Sequence, residues 1–429
     1  MSSIQITGIE KATVYPTNAR QSYTFKRGNP VLNLQISPDA GRLLDTKSLR
    51  LNFVLNVVQD VAINGQNPSR VNNQDLRGDG AVTCFMDSRV GCNAVVDSVR
   101  LSNFKGEVIS DVRNYGRMLA STLSTQTSLE SYQNWGSCKN LAFAREDTQG
   151  LALNGAMTCS VPIRTGLMNA GSAISTSALS GVNFAFTLAP DNMVLYGAGA
   201  AACHYEISKV SMSFNWLTLS APLPMKNETL QYPTYTSFVN IIASSDDQQS
   251  LMMNLQSVRS AWANMIKTSH INTFGHNSFE TNRLQDASND DMKINTYTTM
   301  KNNIKFPRKY DINERITVTN GAYEAQLGRE FLGCFAPYNR MVSTLQSPVT
   351  QLYKSTTAGS YNEPDKKYVG GVGTSYDPMW TGAGTDFKQN LYTLRVQSKL
   401  QDSTANTTFT FALANSGLNV QGSDVQPIS

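Results

Sequence analysis

Hydrophobic and polar residues alternate with a period of two through much of the chain. Val210, Met212, Phe214 and Trp216 alternate with Ser211, Ser213 and Asn215, and Phe409, Phe411 and Leu413 alternate with Thr408, Thr410 and Ala412. This period predicts strands with one face in a core and the other toward something polar. The first of these strands runs into the Pro222–Leu223–Pro224 stretch, which cannot continue a sheet. One β-rich unit thus closes near the middle of the chain and another near its end. The pattern predicts two similar β domains in tandem, residues 1–222 and 223–429.

Within the first half, Ser22–Phe25, Leu32–Ile36 and Leu49–Val58 alternate, with a turn cluster at Pro38–Gly41. Residues 63–81 are a polar Gly/Asn/Asp-rich loop, and 94–101 read as a strand. Val108, Val112, Tyr115 and Leu119 recur at helical spacing and predict a short helix that plugs the end of a sandwich. Residues 124–181, rich in Ser, Thr, Gly and Asn, read as a long loop, and strands return at 182–188 and 204–219. The second half follows the same plan: strands over 234–242 and 251–266 (the latter Met- and Leu-rich, with a helical alternative), a polar loop over 267–292, and a strand over 293–300. Tyr323, Leu327 and Phe331, spaced by four, predict a helix within 311–331; 340–387 read as a second long loop, and 390–400 and 407–414 as closing strands. The plan repeats, but no residue-level repeat is visible. Many strands, irregular loops and little helix predict an all-β sandwich or jelly roll.

A chain of 429 residues is too long for one ordinary sandwich and comfortable for two domains. Charged residues make up only 16%, with Ser, Thr, Asn and Gln abundant, so the surface is polar but weakly charged, as suits a protein packing against copies of itself. The net charge of +4 is scattered, and the densest basic spots, Lys366–Lys367 and Arg308–Lys309, are doublets. No basic block of the kind that neutralises phosphates stands out, which argues against sequence-specific nucleic-acid binding and leaves weak contact with a packaged genome. The start lacks a basic segment followed by an apolar one, so no signal peptide is expected, and no stretch is long and apolar enough to span a bilayer. The cysteines at 84, 92, 138, 159, 203 and 334 have no regular spacing, and free thiols are expected. Asn227 and Asn406 match the glycosylation sequon, a match common by chance.

Candidate chemistry is sparse. His204, His270 and His276 lack the spacing of a metal-binding jelly roll and read as polar surface histidines. No zinc-protease, nucleophile-elbow or Walker-type motif is present; Gly370–Gly373 and Gly382–Gly384 read as loop glycines. Asp246–Asp247 and Asp290–Asp291 read as polar turns rather than a carboxylate pair across a cleft. Trp135, Trp380 and Tyr376 could form a sugar-binding face but read first as anchors of loops or interfaces. No catalytic, cofactor-binding or metal residue is assigned, and no cofactor is expected.

Four stretches carry a family resemblance: Arg42–Leu51, leading into an early strand; Val96–Leu119, a strand, glycine turn and helix ending Tyr-x-Arg-hydrophobic; Asn303–Asp311; and Gly384–Leu394, before the closing strands. In that order they resemble the double jelly-roll major capsid proteins of double-stranded DNA viruses, nearest the group of polinton-like viruses and virophages, with adenovirus-type hexons more distant. The chain is short beside many eukaryotic relatives, so its surface loops should be modest. The resemblance implies two tandem eight-stranded jelly rolls with a short helix in each. It also implies a homotrimer forming a pseudo-hexagonal capsomer, assembled in the host cell into an icosahedral virion shell. Implied partners are neighbouring capsomers, penton and minor capsid proteins, and non-specific contact with packaged DNA or an inner membrane. Three alternatives stand beside it. A secreted β-sandwich adhesin or carbohydrate-binding protein predicts an export signal and disulfides. A glycoside hydrolase predicts paired carboxylates in a cleft. A single jelly-roll penton or minor capsid protein is opposed by the two closing strands.

Overall fold

The structure is a computed structural model. It describes residues 4–26, 28, 30–60, 84–87, 90–126, 151–152, 157–169, 173–197, 199–222, 228–242, 246–279, 293–309, 311–313, 316–319, 322–325, 333–334, 371–377, 382–399, 405–421 and 424–428. The principal strands of the first half are β1 (Ile6–Val14), β2 (Val31–Ile36), β3 (Arg42–Gln59), β4 (Val96–Ser102), β5 (Val108–Val112), β6 (Met157–Pro162), β7 (Val182–Leu188) and β8 (Cys203–Leu219), with helix α1 (Tyr115–Gln126) between β5 and β6. They form two antiparallel sheets, ordered β1-β8-β3-β6 and β2-β7-β4-β5. The second half contributes β9 (Glu228–Ile242), β10 (Asp246–Leu251), β11 (Ser257–Lys267), β12 (Lys293–Lys301), β13 (Ile304–Lys305), β14 (Val372–Ser375), β15 (Tyr392–Lys399) and β16 (Asn406–Gln421). Their sheets run β9-β16-β11-β14 and β10-β15-β12-β13, and β17 (Asp424–Ile428) closes a hairpin on β16. Adding eight to every label of the first half gives the order of the second. Each half is therefore a jelly roll, and the repeat of plan is a repeat of topology.

Alternation sets the cores. In β7, Val182, Phe184, Phe186 and Leu188 point inward while the residues between them are half-buried. In β8 the inward set changes parity, from Cys203, Tyr205 and Ile207 to Val210, Met212, Phe214 and Trp216. The change occurs at Lys209, which adopts φ +50° where the register against β3 slips by one residue. An extra residue in a strand turns every later side chain to the other face. The three-residue step from Ile207 to Val210 is its mark in the sequence. A second bulge at Arg259 of β11 does the same between Val258 and Ala261.

The structure corrects several expectations. Val108–Val112 is strand β5, and the helix begins only at Tyr115. The expected loop 124–181 contains β6, and 340–387 contains β14. In the helix expected within 311–331, Ile316–Thr319 instead pairs with Ala322–Ala325 as a hairpin, while 326–332 lie outside the described residues. Tyr323 of that spacing lies in the hairpin, and Leu327 and Phe331 lie outside the described residues. The strand expected over 251–266 is present from Ser257 onward, with no helix, but Leu251 ends the preceding strand β10 and 252–256 belong to neither. Cys92 and Cys159, expected as free thiols, form a disulfide across 67 residues; Cys84, Cys203 and Cys334 are thiols, and Cys138 lies outside the described residues. Residues 63–81 also lie outside them.

Two outcomes test this fold. A β-branched residue is disfavoured at positive φ, so Lys209→Val should lower stability by about 1–2 kcal/mol while Lys209→Gly holds or raises it; equal urea midpoints for the two variants would remove the bulge from the explanation. Burial pushes the Tyr115 phenol up to about 12, and those of Tyr205, Tyr376 and Tyr392 well above their ordinary value. A raised folded value holds stability in full below the unfolded value and loses it as pH rises. Tyr115 alone then contributes about 3 kcal/mol that disappears between about pH 10 and 12. In an alkaline titration, a fraction of the tyrosinate absorbance should appear only as the β-sheet dichroism collapses. Complete ionisation near pH 10 with the sheet intact would contradict this.

Candidate functional site: the junction of the two rolls

The residues that suggested chemistry do not converge. Among the described residues no group of three or more His, Cys, Asp or Glu side chains could hold a metal ion. His204 is not a surface residue: it is 3% exposed, with Nδ1 2.8 Å from Asp60 and Nε2 3.3 Å from Glu206. His270 and His276 stack face to face at 3.7 Å in the segment after β11. Tyr376 is buried inside the second roll against Phe306 and Phe387, so it offers no sugar-binding face; Trp135 and Trp380 lie outside the described residues. Asp246 and Asp247 belong to strand β10 rather than a turn, and Asp290–Asp291 lie outside the described residues. Gly373 is in strand β14, where a Cβ would meet Cys334 and Trp262. Asn406 is buried in β16, closed to glycosylation, and Asn227 and Lys366–Lys367 lie outside the described residues.

What the residues do build is an interface within the chain. Sheet β9-β16-β11-β14 is covered on both faces. Ala261, Ala263, Met265, Ala412 and Ala414 face the core of their own roll, with Tyr297, Leu394 and Val396 opposite. Trp262, Phe409, Phe411 and Leu413 face the other way and join the core of the first roll. The matching alternations in β8 and β16 therefore aim their large residues in opposite senses, and the Thr/Ala side of β16 is buried rather than polar-facing. Its Thr408 accepts a hydrogen bond from Gln249 at 3.0 Å.

Helix α1 is the first roll's side of the junction. Arg117 is its one charged residue, and it is buried. The guanidinium lies over Phe409 at 4.3 Å and Phe279 at 5.8 Å from the ring centroids, and it donates to the carbonyl of Ser278 and, at 3.4 Å, to Asn272 Oδ1. Burial pulls its pKa down to about 10, against the upward pull of Asp97. Two aromatic faces and two oxygens thus replace part of a lost hydration shell. Asn264 Nδ2 reaches the Arg117 carbonyl at 3.5 Å, and Trp262 Nε1 donates to Ser121 Oγ at 3.2 Å.

The rolls stand side by side with matching ends together. At one end Gly197 N–H donates to the Phe274 carbonyl at 2.8 Å and Asn277 Nδ2 to Asp87 at 2.6 Å. Near the other, Tyr232 Oη donates to the Ile109 carbonyl at 2.8 Å, and Gly166 lies against the backbone of Pro233 so closely that any Cβ would collide with it. Arg117 falls in the Tyr-x-Arg-hydrophobic stretch that the sequence singled out, but its role was not read. The available signal was a lone cation in an otherwise uncharged helix.

Arg117→Ala should cost about 3 kcal/mol, from the cavity and the abandoned carbonyl of Ser278. Arg117→Lys, which keeps the charge but loses the planar fork and its stacking, should cost less. Urea unfolding followed by tryptophan fluorescence measures both, and an unchanged midpoint for the alanine variant would show that the guanidinium does not hold the junction.

No protein-family model matches this chain, and no curated protein matches it in sequence. Solved structures do match in fold. The chain is similar to the Faustovirus major capsid protein with a TM-score of 0.59 at 8% identity, over 98% of this chain and 91% of that one. It is similar to PBCV-1 VP54, fitted into a cryo-EM reconstruction of the virophage Sputnik, with a TM-score of 0.54 at 12% identity, over 99% and 98%. The quasi-atomic PBCV-1 capsid gives a TM-score of 0.53 at 13% identity, over 100% and 97%. Likeness along the whole of both chains at such identities is likeness of fold, and the fold of this chain is the double jelly roll.

Proposed function

We propose that this chain is a viral major capsid subunit, without catalytic activity. Residues 1–222 and 223–429 form its two jelly-roll domains. Three copies close into a pseudo-hexagonal capsomer, and capsomers tile an icosahedral shell around a double-stranded DNA genome, contacting one another and penton and minor capsid proteins. The observation that carries this reading is a face covered in one roll and open in the other. In the second roll, the outer face of β9-β16-β11-β14 is buried against α1 of the first. Its counterpart in the first roll, the outer face of β1-β8-β3-β6, carries a polar ladder instead. Ser160 Oγ donates to Asn52 Oδ1 at 2.7 Å, and Asn52 Nδ2 donates to Ser213 Oγ at 3.0 Å. In a closed ring of six similar rolls, that open face meets the second roll of the next chain in the way the two rolls meet within one. A polar face suits a contact made after folding, since it stays hydrated in the free subunit.

A second reading has one observation in its favour. The Cys92–Cys159 disulfide is the feature expected of a secreted β-sandwich adhesin or carbohydrate-binding protein.

Native mass spectrometry and light scattering separate the two: the capsid reading expects a trimer, the adhesin reading a monomer that binds glycans. Ser213→Arg, on the open face and away from both cores, should leave the melting temperature nearly unchanged and lower the trimer fraction at least tenfold. A monomeric parent protein, or a Ser213→Arg variant that trimerises like the parent, would defeat the proposed ring contact.

A further inference from the structure

Cys84, Cys92, Cys159 and Cys203 all lie in the core that the first roll builds. Cys84 and Cys92 belong to the connection that leads into β4, while Cys159 and Cys203 belong to β6 and β8. Those two strands flank β3: Cys159 stands opposite Phe53 and Cys203 opposite Gln59. The connection therefore meets the sheet β1-β8-β3-β6 through sulfur on both sides of β3. On the β6 side the link is covalent, the Cys92–Cys159 disulfide. On the β8 side the thiols of Cys84 and Cys203 are hydrogen-bonded to each other, and neither is in a disulfide. The bond to Cys203, with burial, holds the Cys84 proton well above the ordinary thiol value, and the same bond draws the Cys203 value down. Cys203 is thus the partner that releases its proton first, and the thiolate is the reactive form.

The connection also carries the first roll's contact with the second at one end of the junction. Asp87 is buried, and its Oδ2 accepts from Asn277 Nδ2 at 2.6 Å while its Oδ1 accepts from the Val90 N–H at 3.0 Å. Downstream of Asp87 the chain is fixed to β6 by Cys92. Upstream it rests on a two-residue pairing, Phe85 with Ala152 and Met86 with Leu151, and on the thiol hydrogen bond of Cys84, which is a weak one.

We propose that Cys84 and Cys203 are the site of a second, oxidation-dependent disulfide that locks the Asp87 connection to β8, and with it the first roll's side of the junction. The oxidant is a peroxide, small enough to reach a buried sulfur. The Cys203 thiolate attacks one peroxide oxygen, the O–O bond breaks and hydroxide leaves, which makes Cys203 a sulfenic acid. The Cys84 sulfur then attacks the Cys203 sulfur, the S–O bond breaks, and the Cys84 proton leaves with the hydroxyl as water. The proton first released by Cys203 turns the hydroxide into a second water. The two sulfurs lose two electrons in all, and the peroxide gains them. A lone buried thiol behaves as a small apolar side chain. Two in contact, on segments that one disulfide already joins, can be joined again. The inference does not rest on the shell reading, because every readout comes from a single chain, whether monomeric or trimeric.

The test is non-reducing peptide mapping of the purified full chain before and after hydrogen peroxide. The untreated chain should show the Cys92–Cys159 linkage, with Cys84 and Cys203 open to alkylation once it is unfolded. After peroxide the Cys84 and Cys203 peptides should be linked, and the urea midpoint should rise by about 1 M. In Cys84→Ala the Cys203 sulfenic acid has no resolving thiol, so dimedone should trap it, and the midpoint should not rise. Circular dichroism checks that the variant is folded. Cys84 and Cys203 that stay unlinked after peroxide while the fold is intact, or that link to other cysteines, overturn the proposal. A Cys84–Cys203 linkage that leaves the urea midpoint unchanged also overturns it, since the bond then locks nothing.

Discussion

One sheet with two buried faces holds this molecule together. In β9-β16-β11-β14 the side chains that face the second roll's own core are small, with Ala261, Ala263, Ala412 and Ala414 prominent, and those that face the first roll are large, with Trp262, Phe409, Phe411 and Leu413. Small residues let the second roll's outer sheet approach closely, and large ones reach across to α1. A layer used on both sides cannot be moved without opening two interiors, so the two rolls are mechanically one body along this junction. Arg117 is the exception that the layer encloses. A guanidinium placed between Phe279 and Phe409 is costly to bury and specific in what satisfies it, which favours one orientation of the rolls over others.

The same topology used twice produces two faces with opposite chemistry. Where the second roll shows aromatics to its neighbour, the first shows Ser160, Asn52 and Ser213. The difference matches the order of events that the proposed assembly would need. A contact made during folding can be apolar, because it is never offered to solvent in the finished chain. A contact made between finished chains has to remain soluble beforehand, and hydrogen-bonding groups allow that.

How far the chain could be read depended on whether the signal was local. The alternation of Val182–Leu188 and of Val210–Trp216 identified strands and their inward residues correctly, because period two is a property of neighbouring residues. Strands β6 and β14 were missed. Met157–Pro162 and Val372–Ser375 are short and lie among small polar residues, and they are strands only because β3 and β11 supply their partners. The hairpin at Ile316–Thr319 and Ala322–Ala325 puts Tyr323, expected in a helix, into a strand for the same reason: pairing outweighs weak helical periodicity. The place of Arg117 was legible only as an oddity of composition in α1, since Phe279 and Phe409 lie far along the chain.

The amino-acid sequence by itself determined that this is a β protein of two halves with matching plans, and which side of most strands turns away from water. Those follow from side-chain alternation and from prolines near residue 222, both of which act over a few residues. Tertiary structure decided what lies against each face. Two identical-looking alternations, in β8 and β16, bury their large residues in opposite directions, because a strand's pattern says that a face is covered and not by what. The covering partner for Phe409, the guanidinium of Arg117, comes from a helix almost three hundred residues earlier, and only the folded chain brings the two together.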